Sequence, residues 1–280
     1  MSNQNYSSSK LGQLLLDAGK LSTADAEKVM RLQKAENLRF GDAAIQLGLV
    51  SELDIQYALA QQFDYPYLKS NEEGYSPELV AAYKPFLPQV EQLRSLRSQL
   101  MLRWFAQGHK LLSLVGTQAG DGNSNLVANL AIVFSQLGER TLLIDADLRA
   151  PRQHTLFNLG NRPGLSDILI GRADHKAAVR LPAFVDLTIL TAGATPPNPS
   201  ELLSNAALLN LYTAYSSMFD VILIDTTPSD FCDTCMLGAR STGVLITARQ
   251  DYSRMSKIDN MVTNFKECNL TVVGAVMNQF

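Results

Sequence analysis

One stretch leaves this chain few ways to fold. Residues 110–149 read KLLSLVGTQAGDGNSNLVANLAIVFSQLGERTLLIDADLR. The apolar run Leu111–Val115 suits a strand, Thr117–Gly122 a Gly-rich turn, and Ser124–Leu137 a helix of small and aliphatic residues. Thr141–Ile144 suits a second strand, which ends in Asp145-Ala-Asp147. A strand that turns through glycines into a helix presents backbone N–H groups and the helix N-terminus to an anion. Acids on the next strand can hold a metal or a water beside it. That is the layout of a phosphate-loop nucleotide site. The full pattern G-x-x-x-x-G-K-[ST] asks for glycine at 117 and lysine at 123, however, and the chain has Thr117 and Asn123.

Further apolar, β-branched runs follow at 187–191, 220–225, 243–248 and 271–277, with helical stretches between them. This alternation predicts an α/β domain with a doubly wound, mainly parallel sheet and a ligand at the carboxyl ends of its strands. A third acid, Asp225, follows VILI at such an end. Asp145, Asp147 and Asp225 are therefore the candidate catalytic residues. Ser124, Asp145 and Asp225 are the candidates for a hydrated Mg²⁺. Thr117, Gly120, Asp121, Gly122, Asn123, Ser124 and Asn125 are the candidate nucleotide contacts. Helix capping accounts equally well for Asp147 or Ser124 alone, but not for acids converging from two strands on one loop.

The rest of the composition narrows the function by exclusion. Residues 1–84 carry 8 Lys/Arg against 11 Asp/Glu and residues 85–280 carry 16 against 16, so neither part has the basic excess of a nucleic-acid or anionic-membrane surface. No apolar run reaches the roughly 18 residues of a membrane span, and the polar start MSNQNYSSSK lacks the apolar core of a signal peptide. A cytoplasmic protein without direct membrane insertion is expected, and 3 Cys in 280 residues do not suggest a disulfide framework. Cys232 and Cys235 form a CxxC without a second ligand pair and read as a chance pair near a helix start that Asp230 or Asp233 caps. His109, His154 and His175 are scattered and receive no role.

Before this domain the chain repeats itself. LGQLLLDAGKLSTADAEKVMRLQ (11–33) aligns with FGDAAIQLGLVSELDIQYALAQQ (40–62) at an offset of 29 residues. Each copy reads as a short helix stopped by glycine, then Ser22 or Ser51 as N-cap, then a second amphipathic helix. Two such hairpins bury their faces on each other. Residues 1–68 are thus expected to form a small helical domain and residues 69–84 a linker, with a helical turn near Pro77–Tyr83. Residues 85–280 then form the nucleotide-binding domain. Its first helix, from Gln89 to about Gln107, would bury Val90, Leu93, Leu96, Leu100 and Phe105 and carry Glu91, Arg94 and Arg97 on another face.

These residues carry two resemblances. The repeat resembles the tandem motif of the MshEN-type N-terminal domain of type II secretion and pilus ATPases. That resemblance implies cyclic di-GMP binding through Lys10, Leu11, Gly12, Gly19 and Gln33 of the first copy and Arg39, Gly41, Gly48 and Gln62 of the second. Arginine stacks on guanine or forks onto phosphate, and glycine lets a ligand approach the backbone. The first copy departs from the motif at Lys10, Lys20 and Ala26, the second at Phe40 and Ala44. For Lys10 and Arg39 a solvated helix end is the plain alternative.

Residues 85–280 resemble the bacterial tyrosine kinases of exopolysaccharide synthesis, relatives of the MinD/ParA ATPases. The motifs AGDGNSN, LLIDADLRAPRQHTLF, RPGLSDIL, AGATPPNPSELL and FDVILIDTTP fall in that family's order. With the repeat included, the chain resembles the chain-length-determinant kinases of the EpsG type. The resemblance implies ATP/ADP and Mg²⁺ as cofactors and a homo-oligomeric ring built through Glu91, Arg94 and Arg97. It also implies a membrane polysaccharide co-polymerase as partner, which would place the protein peripherally at the inner membrane, and Asn278 as an adenine contact. A structural role at a strand end serves Asn278 equally well. The family's Tyr-rich tail has no counterpart after Tyr252, so tail autophosphorylation is not expected.

Asn123 is the departure that bears on chemistry. Lysine brings a positive charge to the β/γ-phosphates as charge moves in transfer, and asparagine offers a neutral N–H. Charge-assisted bonds contribute about 1.5–3 kcal/mol against about 1 for neutral ones, which predicts roughly tenfold weaker ATP binding. Transfer would fall by about 10² or more. Arg149 or Arg152 would compensate only if the fold brings them to the loop. Three activities therefore stand side by side: a tyrosine kinase using ATP–Mg²⁺, a regulatory pseudokinase, and a MinD/ParA-like ATPase. The E-x-x-R-x-x-R and PPNPSELL elements speak against the third.

Overall fold

The N-terminal repeat folds as two helical hairpins in the computed structural model, which describes residues 10–63, 65–68, 74–203, 206–227 and 243–279. The chain divides into two units, Met1–Pro66 and Tyr67–Phe280. In the first, α1 (Lys10–Asp17) and α2 (Thr23–Glu36) form one hairpin, and α3 (Phe40–Gln46) and α4 (Glu52–Gln62) the other. Gly19 (φ 66) and Gly48 (φ 67) stop the short helices, and the Ser22 and Ser51 hydroxyls accept from the backbone N–H of Asp25 and Asp54 to start the long ones. Because α1 packs on α4 and α2 on α3, Leu15, Val29, Phe40 and Ala43 of both copies share one core.

In the second unit the six expected strands are all present: β1 (Leu111–Gly116), β2 (Thr141–Asp145), β4 (Leu187–Leu190), β5 (Val221–Thr226), β6 (Gly243–Arg249) and β7 (Thr271–Asn278). An unexpected two-residue strand, β3 (Val179–Arg180), pairs antiparallel with β4 at one edge. The order is β3-β4-β2-β5-β1-β6-β7, and every other pairing is parallel. Alternation along the strands supplies both faces. Leu112, Leu114, Leu143 and Leu223 enter one core, and Leu142, Ile144, Ile222 and Ile224 the other.

On the first face lie α5 (Val80–Tyr83), α6 (Pro88–Arg103) and α7 (Asn123–Ser135). Helix α7 is buried from Leu126 to Ser135 on all sides, which its small and aliphatic residues permit because it is covered by α5 and α6 as well as by the sheet. The opposite core is closed by α9 (Leu165–Leu169), α10 (Pro199–Leu203) and α11 (Ala207–Met218). The short α8 (Gln153–Leu156) follows β2, and α12 (Met255–Glu267) packs on β7.

Two expectations change here. Of the stretch read as a linker, residues 79–82 are core: Leu79 and Ala81 are fully buried, because α7 presents polar side chains that grip the segment. Asn129 accepts from the Ala81 N–H at 2.9 Å, and Gln136 donates to its carbonyl at 3.1 Å. The first helix of the nucleotide-binding domain ends at Arg103 rather than continuing, because Trp104 leaves helical geometry and turns its indole N–H onto the Leu111 carbonyl at 2.9 Å. Cys232, Cys235, Asp230 and Asp233 lie outside the described residues. No helix among the described residues is long and apolar enough to cross a membrane.

Candidate nucleotide site

The loop between β1 and α7 is shaped by two glycines in the left-handed region, Gly120 (φ 89) and Gly122 (φ 79), the second capping α7. A buried acid closes it from inside. Asp121 accepts from the Thr117 hydroxyl (2.5 Å), the Gln118 N–H (2.9 Å) and the Ser253 hydroxyl (2.9 Å). Asn278, expected against adenine, donates its amide to the Asp121 carbonyl at 2.8 Å and so ties the end of β7 to the loop. The plain structural role named for Asn278 is therefore the one its N–H serves.

Strand register sets the acids. Asp145 of β2 and Asp225 of β5 stand opposite each other on neighbouring strands. Asp145 is fully buried and bonds backbone N–H groups of the segment that follows it. One of its oxygens accepts from the Asp147 N–H at 3.2 Å, the other from the N–H groups of Arg152 (3.1 Å) and Gln153 (2.9 Å). It organises the 147–153 loop. Asp225 is held between two amides, Asn123 at 2.8 Å and Gln153 at 2.7 Å, with the Ser124 hydroxyl also bonded to it. Asp147 alone of the three lines the cavity, and it accepts from Arg149 N–H, Ala150 N–H and the Thr227 hydroxyl. Burial pushes the Asp145 carboxyl well above its ordinary range, and the neighbouring Asp225 charge adds to this. Burial likewise pushes Asp225 up to about 6, against the bonds from Gln153, Ser124 and Asn123 that favour its carboxylate.

Asn123 points into the protein. Its amide N–H groups reach Asp225 (2.8 Å) and the Leu114 carbonyl (3.0 Å), and its oxygen accepts from the Thr247 hydroxyl at 2.9 Å. An amide has two N–H groups, and both are engaged. Asn123 thereby joins β1, β5 and β6 beneath the loop. Asn125 likewise turns to Glu78, donating to its carboxylate at 3.2 Å.

Above the loop opens a cavity of about 1200 Å³ lined by residues 118–126, Asp147, Arg152, Glu78, Asn278 and the exposed side of α6. Among the described residues that line it, Arg152 is the single Lys or Arg. Arg149, the other candidate cation, instead donates to the Ser200 hydroxyl at 3.1 Å. No described group of three or more His, Cys, Asp and Glu is disposed to hold a metal by itself. Of the expected oxygen donors, Ser124 and Asp147 line the cavity and Asp225 bonds Ser124 behind them. Oxygen donors of this kind suit Mg²⁺, which keeps several waters and shares its ligands with phosphates. Gln153 Oε1, buried with no hydrogen-bond partner, offers a further acceptor to such a water.

The remaining expected sites lie elsewhere. On α6, Arg94 is ion-paired with Glu91 of its own helix, and Arg97 donates to the Val133 carbonyl of α7 at 2.7 Å. In the single chain Arg97 is therefore turned onto α7, and Arg94 onto Glu91 of its own helix. In the first unit, Gly12 and Gly41 are buried. A Cβ on Gly12 would come within 3.1 Å of the Phe40 ring, and one on Gly41 would touch Ile55 and Leu11. They make room for helix packing. Lys10 and Arg39 are exposed, and Leu11, Gln33 and Gln62 half-buried. Gly19 and Gly48 are exposed with open space around them.

Sequence reasoning missed Gln153, Thr247, Ser253 and Glu78. Gln153 stands in the PRQH segment eight residues after Asp145, a weak signal. The others come from distant stretches and left none.

The chain is 31% identical to the tyrosine-protein kinase YwqD of Bacillus subtilis over 201 residues, covering 71% of this chain and 85% of that protein. It is 32% identical to the tyrosine-protein kinase Wzc of Salmonella typhimurium over 202 residues, or 72% of this chain and 28% of Wzc. Against the EpsB proteins of Ralstonia it likewise spans only 27% and 29% of their length. The kinase domain of the Escherichia coli tyrosine kinase ETK superposes with a TM-score of 0.70 at 26% identity, covering 78% of this chain and 85% of that domain. No protein-family model matches the chain.

Proposed function

Because this chain belongs to the bacterial tyrosine-protein kinase family, we propose that it is a nucleotide-binding regulator of exopolysaccharide chain length, polymerisation and export whose phosphoryl transfer is strongly reduced. It binds ATP or ADP with Mg²⁺ in the cavity above the β1–α7 loop. Ser124 and Asp147 face the metal, and Asp225 backs Ser124 from beneath through their hydrogen bond. Bound Mg²⁺ would neutralise phosphate charge, and the chain's own residues position the phosphates through the loop N–H groups and the start of α7. One observation carries the reading: both N–H groups of Asn123, at the lysine position, are engaged inside the protein. A site without that mobile charge still holds a nucleotide through its backbone but stabilises transfer poorly. The protein works in the cytoplasm, peripherally at the inner membrane through a polysaccharide co-polymerase, and assembles with itself through α6.

The test uses purified protein with ATP, Mg²⁺ and a tyrosine-containing substrate. ADP binding seen by calorimetry, with phosphotyrosine no higher than a no-enzyme blank, supports the reading. Phosphotyrosine at a rate that Asp225→Asn abolishes would show an active kinase instead. For the first unit we propose cyclic di-GMP sensing, favoured by the exposed Lys10 and Arg39 at corresponding places of the two copies. Titration with cyclic di-GMP at tens of micromolar, with Arg39→Ala as control, decides it; absence of heat ends the proposal.

A further inference from the structure

The cavity already holds an anion that belongs to the chain. One oxygen of the Glu78 carboxylate accepts from Arg152 Nη2 at 2.9 Å, and the other from Asn125 Nδ2 at 3.2 Å. Asn125 sits in the first turn of α7, a helix of 13 residues whose N-terminus follows the Gly-rich loop. A carboxylate thus lies between the single Lys or Arg among the described residues that line the cavity and a side-chain amide in the first turn of α7, where negative charge is favoured. We propose that this is a phosphate position of the nucleotide site. Arg152 meets the phosphates of a nucleoside di- or triphosphate in place of the absent lysine, and Glu78 is the placeholder that phosphate displaces. The inference rests on the nucleotide-binding reading above and assigns the residues that achieve it.

Two features make the exchange practicable. The backbone of Glu78 is pinned, since its carbonyl accepts from Asn129 at 3.0 Å and from Asn125 at 3.3 Å, so its side chain can swing while the segment stays in place. The ion pair itself is half in water, with side-chain exposures of 49% for Arg152 and 45% for Glu78, and exposed pairs of this kind hold weakly. A phosphate carries more charge than a carboxylate and competes for the same guanidinium fork. Glu78 released in this way has solvent to turn into.

Calorimetric titration of the full chain with ADP and Mg²⁺ tests the exchange, using wild type, Arg152→Gln, Arg152→Lys, Glu78→Gln and the Glu78→Gln/Arg152→Gln double variant, each checked by thermal melting for an intact fold. Loss of a charge-assisted bond predicts about tenfold weaker ADP binding for Arg152→Gln, largely restored in Arg152→Lys. Freeing Arg152 in Glu78→Gln predicts about threefold tighter binding, and that gain should vanish when Arg152 is also replaced. Adenosine, which has no phosphate, should bind all five proteins alike. Arg152→Gln binding ADP within twofold of wild type would overturn the exchange while leaving the nucleotide site standing. A folded wild type that gives no heat with ADP would overturn both.

Discussion

If Asn123 is a strut between strands, removing its amide must weaken the empty protein. The Asn123→Ala change deletes bonds to Asp225 (2.8 Å), the Leu114 carbonyl (3.0 Å) and the Thr247 hydroxyl (2.9 Å). A bond to a charged group contributes about 1.5–3 kcal/mol and each neutral one about 1, which together suggest about 3–5 kcal/mol. The adjoining cavity admits water to the exposed partners, so about 3 kcal/mol is expected. For a unit of roughly 200 residues that corresponds to a fall of about 6–12 °C in Tm. The melt is best run at pH 8, above the pKa of about 6 to which burial pushes Asp225, so that the amide faces a carboxylate. Thr247→Val removes only the single bond to the Asn123 oxygen and should cost about 1 kcal/mol. The same melts with ADP added supply the second arm: the rise in Tm on binding should match wild type, because the amide touches no phosphate. An Asn123→Ala protein that melts within 2 °C of wild type, or that loses its response to ADP, would refute the reasoning.

Other consequences follow from the same geometry. Asp225 is harder to ionise folded, at about 6, than unfolded, at about 3.9, so its contribution is present below pH 4 and lost as pH rises through 6. Asp225→Asn should remove a slope worth about 3 kcal/mol from the urea-measured stability between those values, leaving the part that Asp145 adds; an unchanged slope would show that the carboxylate is not desolvated. A Cβ on Gly243 would stand 2.2 Å from Trp104 Cζ2, so Gly243→Ala should displace the indole and cost about 1–3 kcal/mol, visible as red-shifted tryptophan emission with a lower urea midpoint. In the first unit, Ser51→Ala removes the N-cap of α4 and should cost about 1 kcal/mol, read as loss of helical circular dichroism at a lower temperature.

Much of this protein is legible without coordinates. Six strands, the Gly-rich loop, the helix after it and the glycine-stopped hairpins of the repeat all follow from local pattern. Side-chain period, β-branched runs and helix caps are properties of near neighbours, and near neighbours are what a sequence displays. The acids at strand ends and the asparagine at the lysine position were equally visible. What those side chains do was decided by which strands lie side by side. Asn123 finds Leu114 nine residues away, but Asp225 and Thr247 lie 102 and 124 residues away, and only the order β2-β5-β1-β6 brings them together. That juxtaposition makes Asn123 an internal tie, and Asp145 bonds the backbone of its own loop. The meeting of Glu78 with Arg152, 74 residues apart, has the same origin. A hydrogen bond needs its partner within about 3 Å. Separation along the chain says little about that distance until the sheet is assembled.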